Sequence, residues 1–441
     1  MQGGRDDEFF YENNTGLPSC SPCNSSINKI SSSQESKKKG GRVRFSSKEI
    51  FKISISETFD KNLNVARAAF ANIVALPVAL LYLKPSVKAF KLRTANRVKA
   101  GSQTVLRTQK KFRNKILDAY FAAWSFCAEE EFYLLVLPLL FWCVDYTLAR
   151  HLTFVVQIGL LMGNVMKDVF ELPRPSAPGL YRVKTLDTTN CLDYGFPSTH
   201  TMNALSNSLY TFLYCYGYFK ESSAGVPIWQ GLLFMITWTL SLSVGRVYLG
   251  MHTPTDMFGG FLLGIFVTGL HVVGMPYVDA WLENLHYGVI WMNLVAFTFL
   301  ILHPQPSPST PTFYQNTLIC GILNGLMLGT VMYFDHHHDD KMTITTTQGY
   351  FSDYDDRFQI FAKVMIGFTL MMLVRTFLKS GALLMFRYVF GIDARGKLNI
   401  PRKSDWDLIA AASVKYTTYS VMAWMITYGC PVVVFGSLGL N

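Results

Sequence analysis

The sequence has 441 residues, of which 50 % are hydrophobic and only 16 % are charged. A chain of this length could form two or three soluble domains, but so apolar a composition indicates a polytopic membrane protein. Lysines and arginines (40) outnumber aspartates and glutamates (30), which gives a net charge of +10. Eleven of the cations, and none of the acids, lie between residues 84 and 115. In a membrane protein this cluster favours contact with anionic lipid headgroups, and its aromatic residues are too sparse for nucleic-acid binding.

Residues 1–62 are polar, rich in Ser, Asn and Lys, and contain no apolar run. This composition predicts a disordered polar tail rather than a cleaved signal peptide, which needs an early apolar core. Cys20 and Cys23 form one CxxC pair without a second pair or a strand–helix context. A redox or zinc site is therefore not expected in the tail.

Residues 63–116 combine a short apolar segment with the basic stretch, which we interpret as juxtamembrane. The apolar part, Ala68 to Leu83, is interrupted by Pro77, so it could span the membrane, re-enter it or lie in the interface. The next apolar segment, Asp118 to Val144, contains three consecutive acids, Glu129 to Glu131. Because acids are costly inside a span, these should mark a helix end, a bundle-facing patch or an aqueous boundary.

Further along the chain, apolar runs recur at the length of a membrane-spanning helix. Backbone groups in lipid must hydrogen-bond to one another, so the spans should be helices. The sequence therefore predicts an all-α fold, a polytopic membrane helical bundle of about eight to ten spans. Residues 117–280 would form its core and residues 281–441 its C-terminal membrane helices. The candidate spans after residue 150 are His151–Met166, Thr201–Tyr218, Val226–Val244, Met257–Val278, Tyr287–Leu302, Phe313–Phe334, Phe361–Arg387 and Thr417–Leu440.

Three short polar signatures lie between the apolar runs of the core. Together they supply three cations, two imidazoles and one carboxylate, which are the groups needed to hydrolyse a dianionic phosphate ester without a metal ion. The signatures are Lys167-x6-Arg174-Pro175, Pro197-Ser198-Thr199-His200 and Arg246-x5-His252-x3-Asp256.

Topology is expected to bring the three signatures to one face of the membrane. If Lys167 ends one span, the loop to His200 lies on one face, and the span Thr201–Tyr218 crosses away from it. The span Val226–Val244 then crosses back, so the third signature emerges on the same face as the first two. An odd number of crossings would have separated them.

The third signature is also a helix start. Thr253 stands at the N-cap, Pro254 at the first helical position and Asp256 three residues after the cap, which resembles a capping box. One interpretation is that Asp256 caps the helix and has no other role. We favour a second role, in which Asp256 holds the His252 ring by its far nitrogen and leaves the other nitrogen free to attack phosphorus.

The second signature likewise precedes an apolar helical run, so Ser198 could be an ordinary N-cap. Backbone amides at that helix start, with the Ser198 hydroxyl, can also hold phosphate oxygens. His200 could then protonate the alkoxide leaving group. Lys167, Arg174 and Arg246 would neutralise the equatorial oxygens in the transition state, although each alone is equally consistent with a snorkelling interfacial cation.

The three signatures together resemble the PAP2 (phosphatidic acid phosphatase type 2)/haloperoxidase superfamily, whose pattern is Lys-x6-Arg-Pro, Pro-Ser-Gly-His and Ser-Arg-x5-His-x3-Asp. Thr199 replaces Gly and keeps the backbone amide for phosphate, whereas Gly245 replaces Ser and receives no phosphate role. The resemblance implies a PAP2-type catalytic helical core at residues 117–280 and no metal or other cofactor. It also implies that His252 is a nucleophile that forms a phosphohistidine, with His200 as general acid and then as base for the hydrolytic water.

Within that superfamily, three stretches are similar to the sphingosine-1-phosphate (long-chain base phosphate) phosphatase branch. They are Phe196–His200, Arg246–His252 and Glu130–Tyr133. The extra spans after Asp256 agree with that branch. The resemblance implies a hydrolase of sphingolipid metabolism, with a sphingoid base 1-phosphate as its lipid substrate. It also implies the endoplasmic reticulum membrane, with the site facing the lumen.

The basic stretch conflicts with a lumenal site, because the positive-inside rule places such a stretch in the cytosol. A single crossing by Asp118 to Val144 would put it on the same face as the signatures. The segment around Glu129–Glu131 could be a broken hairpin, the stretch could be an exception to the rule, or the site could be cytosolic. The family resemblance favours the first two.

Other classes of protein remain open. A broad-specificity lipid phosphate phosphatase, acting on phosphatidate or lysophosphatidate, would share the catalytic residues and differ in its chain pocket. A phosphotransferase would move the headgroup to an alcohol, and a non-enzymatic membrane scaffold would be expected to lose a catalytic His or Arg. The run His336–Asp340 is interpreted as a solvated loop. No chemistry is assigned to the histidines His151, His271, His286 and His303.

Overall fold

The computed structural model describes residues 85–127, 129–181, 193–218, 227–284, 288–303, 310–336, 354–391 and 405–440. The tail expected over residues 1–62, the apolar segment Ala68–Leu83 and most of the loop His336–Asp340 lie outside the described residues. The described helices are α1 Pro85–Phe112, α2 Lys115–Phe126, α3 Glu130–Cys143, α4 Tyr146–Phe170, α5 Thr199–Tyr218, α6 Ile228–Tyr248, α7 Pro254–Asn284, α8 Gly288–Leu302, α9 Thr312–His336, α10 Tyr354–Met385 with a π-helical turn Phe386–Phe390, and α11 Asp405–Trp424 with a π-helical continuation Met425–Phe435.

The regular structure of these ranges is helical, which confirms the all-α fold class. Six of the described helices are long and apolar enough to cross a membrane, namely α4, α6, α7, α9, α10 and α11. The bundle is therefore polytopic, as expected. Helix α5 is more polar than these six, and α2 and α3 have only 12 and 14 residues. The total of about eight to ten crossings stays a prediction.

Glu129 lies between α2 and α3, Glu130 and Glu131 are the first residues of α3, and the acidic segment does not turn a hairpin. Near the start of α2, Asp118 accepts a hydrogen bond from the Tyr248 hydroxyl at 2.7 Å, at the end of α6. Near the end of α3, Trp142 Nε1 donates to the Ile426 carbonyl at 3.0 Å, at the opposite end of the bundle. A hairpin would bring these two ends together, so α2 and α3 form one interrupted crossing.

Because of this single crossing, the basic helix α1 lies on the face that carries the signatures. Gln109 Nε2 donates to the carbonyl oxygens of Tyr181 and Tyr248 at 2.7 and 2.8 Å. Lys91 pairs with Glu171, just after α4, at 2.6 Å. The basic stretch is therefore not explained by a broken hairpin around Glu129–Glu131. An exception to the positive-inside rule and a cytosolic site are the two explanations that remain.

Helix α4 is the central helix of the bundle and the most buried of the six apolar helices. On one side it packs with α5 and α7 around a core that includes Val155, Met202 and Val267. On another side it packs with α3 and α9, and α9 packs against α11. Residue Lys167, in the last turn of α4, is therefore placed where these two groups of helices meet.

The buried histidines away from the signatures also have partners. Arg150 forms an ion pair with Asp279 through both terminal guanidinium nitrogens, and His151 Nδ1 lies 3.1 Å from His271 Nε2. This cluster joins the start of α4 to α7, at the end of the bundle remote from Lys167. Its arrangement is that of a structural polar network, in which buried charges are paired.

Candidate active site

Lys167 is buried, with 3 % of its surface exposed. Its Nζ donates to Asp193 Oδ2 at 2.8 Å and to Thr199 Oγ1 at 3.2 Å. These contacts tie the end of α4 to the loop before α5 and to the first residue of α5. Thr199, which departs from the family pattern, therefore holds the lysine through its side chain.

Asp193 also holds Arg174. Arg174 Nε lies 3.0 Å from Asp193 Oδ1, and its Nη2 donates to the same oxygen. Burial raises the pKa of the Asp193 carboxyl, but the charges and hydrogen bonds of Lys167 and Arg174 outweigh burial and hold that pKa below its ordinary value. Asp193 is thus an ionised bridge between two cations.

The Asp193 carboxylate orients Arg174 toward the third signature. Arg174 Nη1 donates to the Met251 carbonyl at 3.2 Å and lies 3.5 Å from His252 Nε2. A guanidinium therefore stands beside one ring nitrogen of His252, where it can neutralise an anion that approaches the ring.

The start of α5 is capped by Ser198, as its sequence position predicts. Ser198 Oγ accepts from Thr201 N at 3.3 Å and from Thr201 Oγ1 at 3.2 Å. Ser198 N donates to the backbone carbonyl of Asp256 at 3.0 Å, so the second and third signatures are joined directly. The cap leaves the Ser198 hydroxyl proton available, and amides at a helix start are suited to phosphate oxygens.

The turn between α6 and α7 positions His252. Gly250 adopts a φ of +76°, and a Cβ there would lie 2.7 Å from the Tyr181 carbonyl, so this position needs glycine. The amides of Met251 and His252 both donate back to the Arg246 carbonyl, at 3.0 and 3.3 Å. The turn therefore fixes the backbone of His252 relative to Arg246.

The predicted capping box is present at the start of α7. Thr253 N donates to Asp256 Oδ2 at 2.7 Å, and Asp256 N donates to Thr253 Oγ1 at 3.3 Å. Asp256 Oδ2 also lies 3.7 Å from His252 Nδ1. One carboxylate thus caps the helix and faces the far nitrogen of the ring, and His252 Nε2 is directed to the Arg174 side.

Both His252 and Asp256 are fully buried. Burial lowers the pKa of His252 to about 4, although the nearby Asp256 carboxylate acts to raise it and Arg174 acts to lower it. The ring is therefore neutral at physiological pH, which is the form that can act as a nucleophile.

Arg246 connects the third signature to the second. It is the largest fully buried side chain among the described residues, with 1 % exposed. Its Nη2 contacts His200 Nε2, and its Nη1 donates to Ser125 Oγ at 2.6 Å. Because the guanidinium can only donate, we assign the ring proton of His200 to Nδ1, which has no hydrogen-bond partner among the described residues.

The two histidines face each other across the site, with ring centroids 6.1 Å apart. The structure therefore brings all eight side chains singled out from the sequence into one buried cluster. Those residues are Lys167, Arg174, Ser198, Thr199, His200, Arg246, His252 and Asp256. Gly245, where the family pattern has Ser, lies against α2, since a Cβ there would be 3.0 Å from the Phe121 ring.

Three polar residues of the site were not assigned roles from the sequence. Asp193 is one of two acids, with Asp187, between the first and second signatures, and nothing in the sequence distinguishes it from the other. Ser125 gave no signal, because nothing in an apolar run marks one serine as an arginine partner. Glu129 belongs to the acids assigned to a helix end or a bundle-facing patch, and it fits both: it precedes α3 and is 5 % exposed.

A cavity of about 650 Å³ lies beside the cluster, within the size range of ligand pockets. Its polar part is lined by Glu129, Lys167, Asp193, Thr199 and His200. Along α4 its lining extends from Lys167 back to Thr153, roughly 21 Å at the helical rise of about 1.5 Å per residue. The apolar lining comes from three helices besides α4 and includes Leu134, Leu137, Phe141, Leu318, Ile322, Leu326, Met422 and Ala423.

Comparison with known proteins identifies the family. Residues 148–279, which contain all three signatures, match the model of the PAP2 superfamily. The lipid phosphate phosphatase delta of Arabidopsis thaliana is 30 % identical over 314 residues, covering 70 % of this chain and 74 % of that protein. A dihydrosphingosine 1-phosphate phosphatase of Schizosaccharomyces pombe is 28 % identical over 66 % of this chain and 69 % of its own length.

Two further matches cover less of this chain. A probable sphingosine-1-phosphate phosphatase of Dictyostelium discoideum is 28 % identical over 58 % of this chain and 62 % of that protein. The crystal structure of a transmembrane PAP2 type phosphatidylglycerolphosphate phosphatase from Bacillus subtilis aligns with a TM-score of 0.35 and 19 % identity, over 44 % of this chain and 96 % of that one. The signatures, the family match and the extended similarity to the Arabidopsis protein lead to one conclusion: the chain belongs to the PAP2 superfamily and is a multi-pass membrane phosphatase that hydrolyses phosphoric monoesters.

Proposed function

We propose that this enzyme dephosphorylates sphingosine 1-phosphate and related long-chain base 1-phosphates. The observation that carries the proposal is the cavity, which joins the phosphate-binding cluster to a long apolar lining. A phosphate monoester with one hydrocarbon chain fits this division into a polar and an apolar part. Similarity to phosphatases named for sphingoid base 1-phosphates in fission yeast and Dictyostelium supports the same substrate class.

In the first step, His252 Nε2 attacks phosphorus and the ester P–O bond breaks. His200 acts in its imidazolium form, taking a proton as the substrate phosphate binds; it gives that proton to the departing oxygen and returns to the neutral ring, so the lipid leaves as an alcohol. The products of this step are the free long-chain base and a phosphohistidine on His252. Asp256, 3.7 Å from Nδ1, stabilises the charge that develops on the ring.

In the second step, water attacks the phosphohistidine. His200, now without its proton, accepts one from that water, and the P–N bond breaks to release inorganic phosphate. Lys167, Arg174 and Arg246 neutralise the equatorial oxygens in both transition states. Because these three cations supply the positive charge, the proposed mechanism uses no metal ion.

The main test is hydrolysis of sphingosine 1-phosphate by the purified protein in detergent with excess EDTA, beside the variant His252→Ala. We expect release of inorganic phosphate by the wild type and none by the variant, with the variant still monodisperse. Loss of wild-type activity in EDTA would contradict the metal-independent mechanism. No phosphate release from any lipid phosphate would revive the scaffold alternative.

A broad-specificity lipid phosphate phosphatase is the second candidate, because the Arabidopsis relative is named for lipid phosphates in general. Phosphatidate is therefore the parallel substrate. A higher kcat/KM for sphingosine 1-phosphate than for phosphatidate supports the proposal. Equal kcat/KM values for the two substrates would show that the enzyme is a broad-specificity lipid phosphate phosphatase. Formation of a new phosphate ester when an alcohol is added would indicate a phosphotransferase.

The covalent intermediate can be tested with the variant His200→Ala and p-nitrophenyl phosphate. The p-nitrophenolate leaving group departs without protonation, so the first step should proceed while hydrolysis of the phosphohistidine is slowed. We expect one burst of p-nitrophenolate per enzyme and an acid-labile, base-stable phosphoprotein. Absence of that phosphoprotein in the burst would contradict a histidine intermediate.

We also propose the endoplasmic reticulum membrane as the enzyme's location, with the site facing the lumen as the family resemblance implies. The basic helix α1, on the same face as the site, favours the cytosolic side by the positive-inside rule. The variant Ser176→Cys, at an exposed position of that face, separates the two. The variant is treated with a membrane-impermeant maleimide, and its labelling is compared with that of the parent chain. Extra labelling that appears only after the microsomes are permeabilised supports a lumenal site. Extra labelling in sealed microsomes places the site in the cytosol.

A further inference from the structure

Asn203 is a buried amide of α5 that the phosphatase mechanism does not use. Only 2 % of its surface is exposed, and its Oδ1 makes no hydrogen bond to any described residue. Gly159 of α4 lies against this oxygen, since a Cβ there would be 3.4 Å from it, and glycine has no side chain that could donate. A buried acceptor without a donor is costly, so the amide indicates a role in binding rather than in the stability of the fold.

Asn203 stands on the wall of the cavity, beside the catalytic groups. Thr199, His200 and Asn203 all line it. Along α4, Gly163 faces Thr199 and Gly159 faces Asn203, so Asn203 lies one turn farther toward the apolar end of the cavity. It follows His200 by three residues, roughly 4.5 Å at the helical rise of about 1.5 Å per residue. Because His200 acts on the oxygen that leaves with the lipid, Asn203 lies beside the substrate carbons next to that oxygen.

A sphingoid base 1-phosphate carries a hydroxyl group on its third carbon, two carbons from the one that bears the phosphate. This hydroxyl is neutral and can donate and accept a hydrogen bond, as the neutral amide of asparagine can. The charged 2-ammonium group suits a carboxylate or phosphate better. The esterified glycerol of phosphatidate has neither a hydroxyl nor an amine, so it offers acceptors only. The first ligand would satisfy the Asn203 oxygen, and the second would leave it unpaired.

On this basis we propose that the Asn203 amide accepts a hydrogen bond from the 3-hydroxyl group of the substrate and so favours sphingoid base phosphates over phosphatidate. The proposal rests on the proposed function, since it concerns the substrate of that same site. A site that pairs a substrate hydroxyl discriminates against an analogue without one, because its own polar group is then left unpaired. The amide thus sets specificity and takes no part in the transfer of phosphate.

The competing explanation is that Asn203 only maintains the shape and polarity of the cavity wall. That role would affect substrates with and without the 3-hydroxyl to the same degree. The two explanations therefore differ in how a change at Asn203 acts on the two kinds of substrate.

The experiment compares kcat/KM for dihydrosphingosine 1-phosphate and for its 3-deoxy analogue, with the purified full chain in detergent. The wild type is expected to prefer the hydroxyl compound about tenfold or more. Asn203→Leu keeps a branched side chain and removes both polar atoms. It should lower kcat/KM for dihydrosphingosine 1-phosphate about tenfold or more and change the 3-deoxy analogue less than threefold. Equal losses on both substrates would overturn the proposal in favour of the wall role.

Gln157→Leu is the matched control. Gln157 also lines the cavity, and its Oε1 likewise has no hydrogen-bond partner among the described residues. It precedes Lys167 by ten residues of α4, roughly 15 Å at the helical rise of about 1.5 Å per residue, which is beyond the reach of the 3-hydroxyl. This variant should keep the preference for the hydroxyl compound. If Gln157→Leu loses that preference and Asn203→Leu keeps it, the assignment to Asn203 is wrong.

A third substrate, which lacks the 2-amino group but keeps the 3-hydroxyl, separates the two polar groups of the lipid. Asn203→Leu should lower kcat/KM for this compound by about the same factor as for dihydrosphingosine 1-phosphate. Absence of that loss would assign the hydrogen bond to the ammonium group and overturn the proposal.

The test still decides if Asn203→Leu fails to fold, because the analogues are also measured on the wild type. A wild type that hydrolyses dihydrosphingosine 1-phosphate and its 3-deoxy analogue with equal kcat/KM has no hydroxyl site, and the proposal fails. A wild type that hydrolyses phosphatidate but no sphingoid phosphate refutes the proposed function instead, so the two failures are distinct.

Discussion

At the scale of single residues, Asp193 holds two of the three cations of the site. Lys167 and Arg174 both bind its carboxylate, and all three side chains are buried. Removing one partner of a buried charge cluster leaves the others without compensation. The cations would then repel each other, and Arg174 would lose its direction toward His252.

The variant Asp193→Asn is therefore expected to lower kcat/KM about a hundredfold, because the two cations no longer sit where the transition state needs them. It should also destabilise the protein by about 3 kcal/mol. Phosphate-release kinetics and thermal unfolding in detergent measure the two effects. Activity within twofold of the wild type would mean that Asp193 does not orient the cations.

The buried imidazole of His252 makes stability depend on pH. In the unfolded chain a histidine takes up a proton near pH 6.5, whereas the folded protein lowers the pKa of His252 to about 4. The contribution of the neutral His252 to the free energy of unfolding is fully present above pH 6.5. It is lost as the pH falls toward 4, because the unfolded state then binds one more proton than the folded state.

We expect acidification from pH 7 to 4 to lower the free energy of unfolding by roughly 3 kcal/mol through His252 alone. The variant His252→Gln lacks this proton, so its thermal midpoint should fall less than that of the wild type over the same pH range. Differential scanning measurements in detergent at both pH values make the comparison. Parallel curves for the two proteins would show that His252 is not buried in its neutral form.

At the scale of elements, α9 approaches α11 through glycines one turn apart. A Cβ at Gly325 would clash with the Ser420 carbonyl, and the neighbouring turns carry Gly321 and Gly329, which are also crowded by α11. Small residues at this spacing allow two membrane helices to pack backbone to backbone. Both helices line the cavity, so their separation sets its width.

Gly325→Ala should therefore push α9 and α11 apart and lower the thermal midpoint by several degrees, about 1–3 kcal/mol in stability. Gly269→Ala in α7 is the matched control, since a Cβ there meets nothing within 4 Å. That control should be neutral or slightly stabilising, because alanine favours a helix over glycine. Equal midpoints for the two variants would show that the α9–α11 contact tolerates a side chain.

At the scale of the whole molecule, the C-terminal helices complete a cavity whose catalytic groups lie on α4 to α7. Ile322 and Leu326 of α9 and Met422 of α11 face the apolar part of that cavity. The C-terminal helices are therefore expected to set chain-length preference, while the core sets the chemistry.

Replacing Ile322 by Trp should fill the apolar part of the cavity. We expect kcat/KM to fall about tenfold or more for a long-chain base phosphate and to change little for a short-chain analogue. Phosphate release from a series of chain lengths measures this. An equal loss at all chain lengths would place the chain outside the cavity.

The sequence alone determined the membrane class, the helical fold and the eight side chains of the three signatures. These follow from local properties: apolar runs of membrane-spanning length, fixed spacings such as His252 to Asp256, and an even number of crossings between signatures. The capping box at Thr253 was readable for the same reason, because its partners lie within one helical turn.

Only the tertiary structure decided which other residues join the site. Asp193 and Ser125 reach it through contacts 19 and 121 residues apart in the chain, between Arg174 and Asp193 and between Arg246 and Ser125. Glu129 lines the cavity beside the site. It likewise decided that α2 and α3 form one interrupted crossing, and that α9 and α11 enclose the cavity. Such features depend on which helices become neighbours, and periodicity and spacing describe each helix by itself.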